Sequence, residues 1–275
     1  MRPNTLSPYG LFTFASGLLA LFVSVDMAAA DLNDVNIIVD KANRAAFYAG
    51  DDGRAETRMT IVDAQQRRHL RQFTILRRDI SDAGDQQFMV LFSRPSDVRR
   101  TVFRVEKHVD RDDDRWLYLP GLDLVKRIAA GDKRTSFVGS HFYYEDVSGR
   151  NPAEDIHELI DTTEQYYVVR NIPKDKNTVE FAQYTVWIDK QNFMPVKTEY
   201  RDDAGNIYRR VEALAIENIQ GHATATKMRV SDLNSGGYTI NEMRFIKYDL
   251  GVPADVFSER SLRNPPREWF TTGRK

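Results

Sequence analysis

From Gly53 onward, apolar and polar side chains alternate through short runs separated by turn residues. Ala55, Thr57, Met59 and Ile61 alternate with Arg54, Glu56, Arg58 and Thr60, the period-two pattern of a strand with one buried face. Similar runs occupy 67–78, 86–93, 100–108, 115–119 and 124–129, then 162–170, 178–188, 195–202, 206–218, 222–232 and 238–248. Turn signals such as Asp82-Ala83-Gly84, Pro120-Gly121, Asp203-Ala204-Gly205-Asn206 and Ser235-Gly236-Gly237 stand between them. About a dozen strands, with helical pieces only at the start, middle and end, predict one large antiparallel sheet in a single mainly β, layered α+β domain.

Residues 31–49 have a different period. Val35, Ile38, Val39, Ala42, Ala45, Ala46 and Ala49 recur at three- and four-residue intervals, which predicts one amphipathic helix capped by Asp31 or Asn33 and stopped by Gly50. Its apolar stripe must lie on another layer. Several strands are apolar on both faces. Phe88, Val90 and Phe92 oppose Met89 and Leu91, while Ala182, Tyr184, Val186 and Ile188 oppose Val179, Phe181 and Trp187. Either helices cover the outer face or the strands lie centrally in a sandwich, or the sheet curves around an apolar cavity closed by helices.

The first thirty residues stand apart. After Arg2, an apolar stretch from Leu11 to Val25 leads to Met27-Ala28-Ala29-Ala30 and then Asp31. This is the layout of a secretory signal peptide cleaved after Ala30, leaving 31–275 as the domain. The stretch is shorter than the roughly twenty residues a membrane span needs. An exported chain without cysteine fits a Gram-negative periplasm, where disulfides are permitted and not required.

Composition narrows the chemistry further. The 39 Lys and Arg balance 40 Asp and Glu, which argues against nucleic-acid binding. Zero cysteines exclude thiol catalysis and zinc–thiolate sites. The five histidines lack zinc-like spacing, and no G-x-S-x-G elbow or phosphate-cradling loop occurs. Asp110, Asp112 and Asp114 imitate the start of a calcium loop, but Arg115 and Gly121 stand where Gly and Glu are required. Ser140-His141 beside Glu145-Asp146 is too contiguous for a triad. The reading is therefore a protein without an enzyme's catalytic residues, metal or cofactor.

Trp116-Leu117-Tyr118-Leu119-Pro120, then Lys126-Arg127-Ile128-Ala129, then Ser136-Phe137-Val138-Gly139-Ser140-His141-Phe142-Tyr143-Tyr144-Glu145-Asp146 form the most specific part of the chain. The last run is too rich in Gly and Ser for a strand and too aromatic for a solvated loop, so its rings should dock on an apolar surface. These blocks, in this order and spacing, resemble the outer-membrane lipoprotein-sorting protein family, relatives of the LolA and LolB lipoprotein carriers. Met59-Thr60-Ile61-Val62-Asp63 and the segment from Arg94-Pro95 to Phe103 extend the resemblance. Two positions depart from it: His141 stands where the family usually has Asp, and Lys126 where it usually has Arg.

The resemblance implies a half-open antiparallel β-barrel of about eleven strands, with an apolar cavity under a helical lid. It also implies a periplasmic carrier that shields the acyl chains of a lipid or lipoprotein on the way to the outer membrane. Arg94 looks like the arginine that latches the lid. Large apolar residues expected in the cavity are Met59, Ile61, Phe88, Val90, Trp116, Tyr118, Phe142, Tyr143, Tyr184 and Trp187. The branch is associated with resistance-nodulation-division exporters. An accessory subunit docking on such an exporter without carrying lipid is therefore the alternative, and a monomer is assumed.

Overall fold

The computed structural model describes residues 31–271. The leader expected over 1–30, with its cleavage after Ala30, lies outside the described residues. The first element is a helix, α1 (Val35–Phe47). Six strands follow as a meander: β1 (Asp52–Val62), β2 (Arg68–Asp79), β3 (Gln86–Arg94), β4 (Val102–Lys107), β5 (Asp114–Leu119) and β6 (Leu124–Ile128). After a long connection containing the short helix α2 (Glu145–Ser148), a second meander runs through β7 (Asp155–Thr162), β8 (Tyr166–Pro173), β9 (Gln183–Asp189) and β10 (Pro195–Arg201). It continues through β11 (Ile207–Ile219), β12 (His222–Asp232) and β13 (Tyr238–Tyr248). Two one-turn helices, α3 (Glu259–Arg263) and α4 (Arg267–Phe270), complete the described chain.

All thirteen strands, two more than the family resemblance implies, belong to one antiparallel sheet in the order β6-β5-β4-β3-β2-β1-β13-β12-β11-β10-β9-β8-β7. Pairing of β1 with β13 joins the two meanders and leaves β6 and β7 as free edges. The barrel is therefore not closed. β7 is the strand that the alternation pattern misses. As an edge strand it keeps Ile156 and Ile160 exposed among acidic side chains, so no buried face marks it.

This topology explains why central strands are apolar on both faces. The chain reaches β1 from α1 and leaves β13 into the C-terminal segment, both at the middle of the sheet. α1 lies on the inner face, where Ile38 and Ala42 pack with Tyr167, Val169 and Ile188. The C-terminal segment lies on the outer face, where Val252, Val256, Phe257, Leu262 and Phe270 cover Leu76, Met89, Val102 and Tyr118. Helical cover thus accounts for the outer face and the curved sheet for the inner one, while the single sheet excludes a sandwich. The N-cap of α1 is Asp34, whose carboxylate accepts from the Asn36 N–H at 2.9 Å, rather than Asp31 or Asn33. At the other end, the Arg77 guanidinium donates to the carbonyls of Phe47, Ala49 and Gly50, taking up acceptors the helix leaves free.

Side chains anchor the outer cover to the sheet. Asp52 accepts from the N–H groups of Leu250 and Val252, each at 2.7 Å. Arg104 donates to the Phe257 carbonyl, and the Thr74 hydroxyl donates to that of Phe270. Phe257 itself is fully buried. Replacing it with Ala should lower the unfolding free energy by about 3–5 kcal/mol in a denaturant titration, since the cavity left behind cannot collapse under a tethered segment.

Candidate functional site

The inner face encloses a cavity of about 440 Å³. Its wall draws on Ala55, Thr57 and Met59 of β1, Phe88 and Val90 of β3, and Val169 of β8. Tyr184, Val186 and Ile188 of β9, Met228 of β12 and Met243 of β13 complete it. Val39, Ala42, Ala45 and Ala46 of α1 close one side. In strand order β3 and β8 are eight steps apart, roughly 38 Å across a flat sheet at about 4.8 Å per strand. That both line one cavity shows how far the sheet curls.

The connection between β6 and β7 runs from one free edge to the other and so crosses the mouth of the curled sheet. It forms the roof. Phe137, Phe142 and Tyr144 are buried as the aromatic composition predicts, and Phe137 makes ring contacts with Phe73, Phe92, Phe103 and Tyr144. Tyr143 faces the other way, with the guanidinium of Arg134 5.0 Å and that of Arg209 4.3 Å from its ring centre.

A buried charge network ties the roof down. Glu145, at the first turn of α2, accepts from Arg134 at 2.5 Å and lies 3.6 Å from Lys133 and 3.5 Å from Arg150. Arg134 also forks onto Glu180 with two 2.8 Å bonds, and Arg150 onto Asp155 of β7 likewise. Arg209 of β11 donates to Asp146, and Ser148 donates to Asp113 at the β4–β5 turn. Burial alone would push the Glu145 carboxyl up, but Arg134, Arg150 and Lys133 together hold it below the usual carboxylate range. Tyr184, which donates to Asp155 at 2.6 Å, is pushed well above the ordinary phenol range by burial.

The structure sorts the sequence-selected residues into three groups. Met59, Phe88, Val90, Phe142 and Tyr184 line the cavity. Ile61 lies on the inner face but belongs to the solid core around Phe137, and Tyr143 belongs to the roof's cationic seam. Trp116, Tyr118 and Trp187 lie elsewhere, a correction to the cavity expected of them. Trp116 and Tyr118 pack under the C-terminal cover, where Arg104 sits 4.5 Å from the Trp116 ring centre. Trp187 alternates outward from Tyr184, Val186 and Ile188 and carries Lys197 3.4 Å from its ring centre. Size suggested these rings; strand parity placed them outside. Arg94, expected to latch the lid, is exposed at the end of β3 and has no ion pair among the described residues. The roof is held by Arg134, Arg150 and Arg209 instead.

His141 anchors the roof to the wall. Its backbone N–H donates to Thr239 Oγ1 at 3.0 Å, and its Nδ1 lies 2.8 Å from the same oxygen. A side chain at Gly237 would meet His141 Nε2 at 2.5 Å, so the turn before β13 needs glycine there. On the outer side, Glu106, His108 and Asp114 come within 4.8 Å of one another. Arg104 occupies Glu106, Arg111 and Arg127 occupy Asp114, and Asp85 holds His108, so the cluster is a saturated ion-pair network.

A half-open antiparallel barrel curled over an apolar cavity and roofed between its free edges is the LolA-like fold. A protein of the DUF1329 family from Desulfovibrio piger superimposes with a TM-score of 0.75 at 25% identity, over 83% of this chain and 98% of that one. A proposed outer-membrane lipoprotein-sorting protein domain from Vibrio parahaemolyticus gives 0.74 at 25% identity, over 82% and 97%. A LolA superfamily protein from Nitrosomonas europaea shares the fold, with a TM-score of 0.63 at 18% identity over 82% and 98%. No curated protein matches the chain. A family model described as an uncharacterized protein matches residues 84–264. The chain belongs to that family, and it is similar in structure to the lipoprotein-sorting protein domain and to the LolA superfamily protein.

The network makes stability pH-dependent in one direction. Because the Glu145 pKa is lowered on folding, its contribution is complete above the unfolded value near 4.3 and is lost as pH falls through the folded value. Glu145→Gln should therefore cost about 3–5 kcal/mol at neutral pH. Its denaturation midpoint should also fall less than that of the wild type as the pH is lowered below about 4.

Proposed function

We propose that this protein is a periplasmic, non-enzymatic carrier that holds the acyl chains of a lipid or lipoprotein in its cavity and passes them toward the outer membrane. The observation that carries the reading is the cavity, walled by Met, Val, Ile, Ala and Phe side chains from both halves of the sheet. Its volume is about three times that of an engineered apolar cavity of roughly 150 Å³ that stays dry and holds one benzene. A long hydrocarbon tail is the matching occupant. Each methylene transferred from water into such a space gains about 0.8 kcal/mol, so affinity requires no charged contact inside. Among the described residues no helix is long and apolar enough to cross a membrane. Export through a leader cleaved after Ala30 accords with the lipoprotein-sorting relatives.

The protein isolated from periplasm should yield acylated species by native mass spectrometry and solvent extraction. Ala46→Phe, which fills the cavity from α1, should reduce the recovered lipid at least about tenfold, because methylenes excluded at about 0.8 kcal/mol each accumulate quickly. Trp187→Ala, on the outside, should leave it unchanged. A reproducibly empty wild-type protein would instead support the accessory subunit of an exporter.

A further inference from the structure

The wall of the cavity contains a gap. β12 and β13 are eleven residues long each, yet they share five ladder pairs, Lys227–Ser231 with Tyr238–Glu242. Their other neighbours pair almost fully, with ten pairs between β11 and β12 and nine between β1 and β13. Below Lys227 and Glu242 the two strands separate. Bulges mark the departure: Thr226 is an extra residue against β11, and Phe245 with Ile246 opposes the single Ala55 of β1. The residues bordering the gap, including Ala223, Ala225 and Met243, line the cavity.

At the far end side chains take over from the ladder. Gln220 Nε2 donates to the Tyr248 carbonyl at 3.2 Å, and the Tyr248 N–H donates to Gln220 Oε1 at 2.9 Å. The hydroxyls of Thr224 and Tyr248 meet at 2.8 Å. On the outer side stands Phe245, 64% exposed and held at φ +51° by the bulge. A large ring in that conformation, in water beside an opening into an apolar cavity, is an anomaly in a wall that otherwise keeps its large rings covered.

We propose that acyl chains pass in and out of the cavity sideways, between β12 and β13, with Phe245 as the first apolar contact and Gln220–Tyr248–Thr224 as the clasp. This rests on the carrier reading of the cavity. The ion-paired roof stays shut in the process: a chain slips past small side chains and a flexible methionine once three neutral hydrogen bonds part.

Stopped-flow fluorescence with a dansyl-labelled long-chain fatty acid tests both ideas separately. The double variant Gln220→Asn, Tyr248→Phe removes the clasp; asparagine tolerates the left-handed backbone at position 220 (φ +53°) but is too short to reach Tyr248. Association and dissociation should each accelerate about fivefold, with Kd within about twofold of wild type. Phe245→Ser, at an exposed position, should slow association about fivefold without lowering the thermal midpoint. Wild-type rates in both variants would overturn the lateral route while leaving the cavity reading intact. No uptake by the wild type would remove both.

Discussion

The architecture depends on one buried carboxylate. A sheet that curls without closing leaves two free edges, and a single connection must bridge them for the hollow to exist as an enclosed space. Glu145 sits where that bridge turns, with Lys133 and Arg134 before it and Arg150 after it in sequence. Four charges this close would be costly to bury unless each had a partner, and the remaining valences are met by Glu180, Glu154 and Asp155. The partners come from different elements, so the network fixes the position of the roof relative to β7 and the loop before β9. The aromatic rings beneath it then fall into register over the core.

Much of this was legible in the alternation of side chains. Phe88, Val90 and Phe92 share a face against Met89 and Leu91, as read, and the run 115–119 is a strand. Alternation assigns residues to two faces without saying which is inside. Trp116 and Tyr118 are on the outer face because Leu117 is the residue that packs inward beside Phe103. The same parity shows that Tyr184 and Trp187 cannot both face a cavity. β7 escaped notice because an edge strand needs no continuous apolar face. The lining contributed by Val186, Ile188 and Met243 was available from strand parity. The alanines of α1 were visible as a stripe, although nothing in a sequence says what a stripe packs against.

The doubled apolar faces have a mechanical consequence. With the roof on the inside and the C-terminal segment outside, β1 to β5 are covered from both sides, while α1 lies over β8 and β9. Phe73, Phe92, Phe103 and Phe137 pack against one another on the inner face there, and Phe73 and Phe137 also border the hollow. The hollow extends from β1 and β3 toward β8 to β13, where Val186, Ala213, Ala223 and Ala225 leave room between larger residues such as Tyr184 and Met228. The outer cover of β1 to β5 thus follows from where the C-terminal segment leaves the sheet.

That asymmetry decides which barrier yields first. Lifting the roof breaks charge-assisted hydrogen bonds from Arg134 to Glu180, Arg150 to Asp155 and Arg209 to Asp146, each worth about 1.5–3 kcal/mol. Parting the wall between β12 and β13 breaks three neutral hydrogen bonds at about 1 kcal/mol each and the edge-on contact of His222 with Tyr248, and disturbs no ladder pair. The gap between the routes is several kcal/mol, and every 1.4 kcal/mol is about tenfold in the population of the open form. A carrier that had to unfasten its roof would release cargo only when a partner supplied that energy. One that opens along an unpaired seam exchanges its hydrocarbon while the charged frame stays closed, and the frame is then free to define the shape of the hollow.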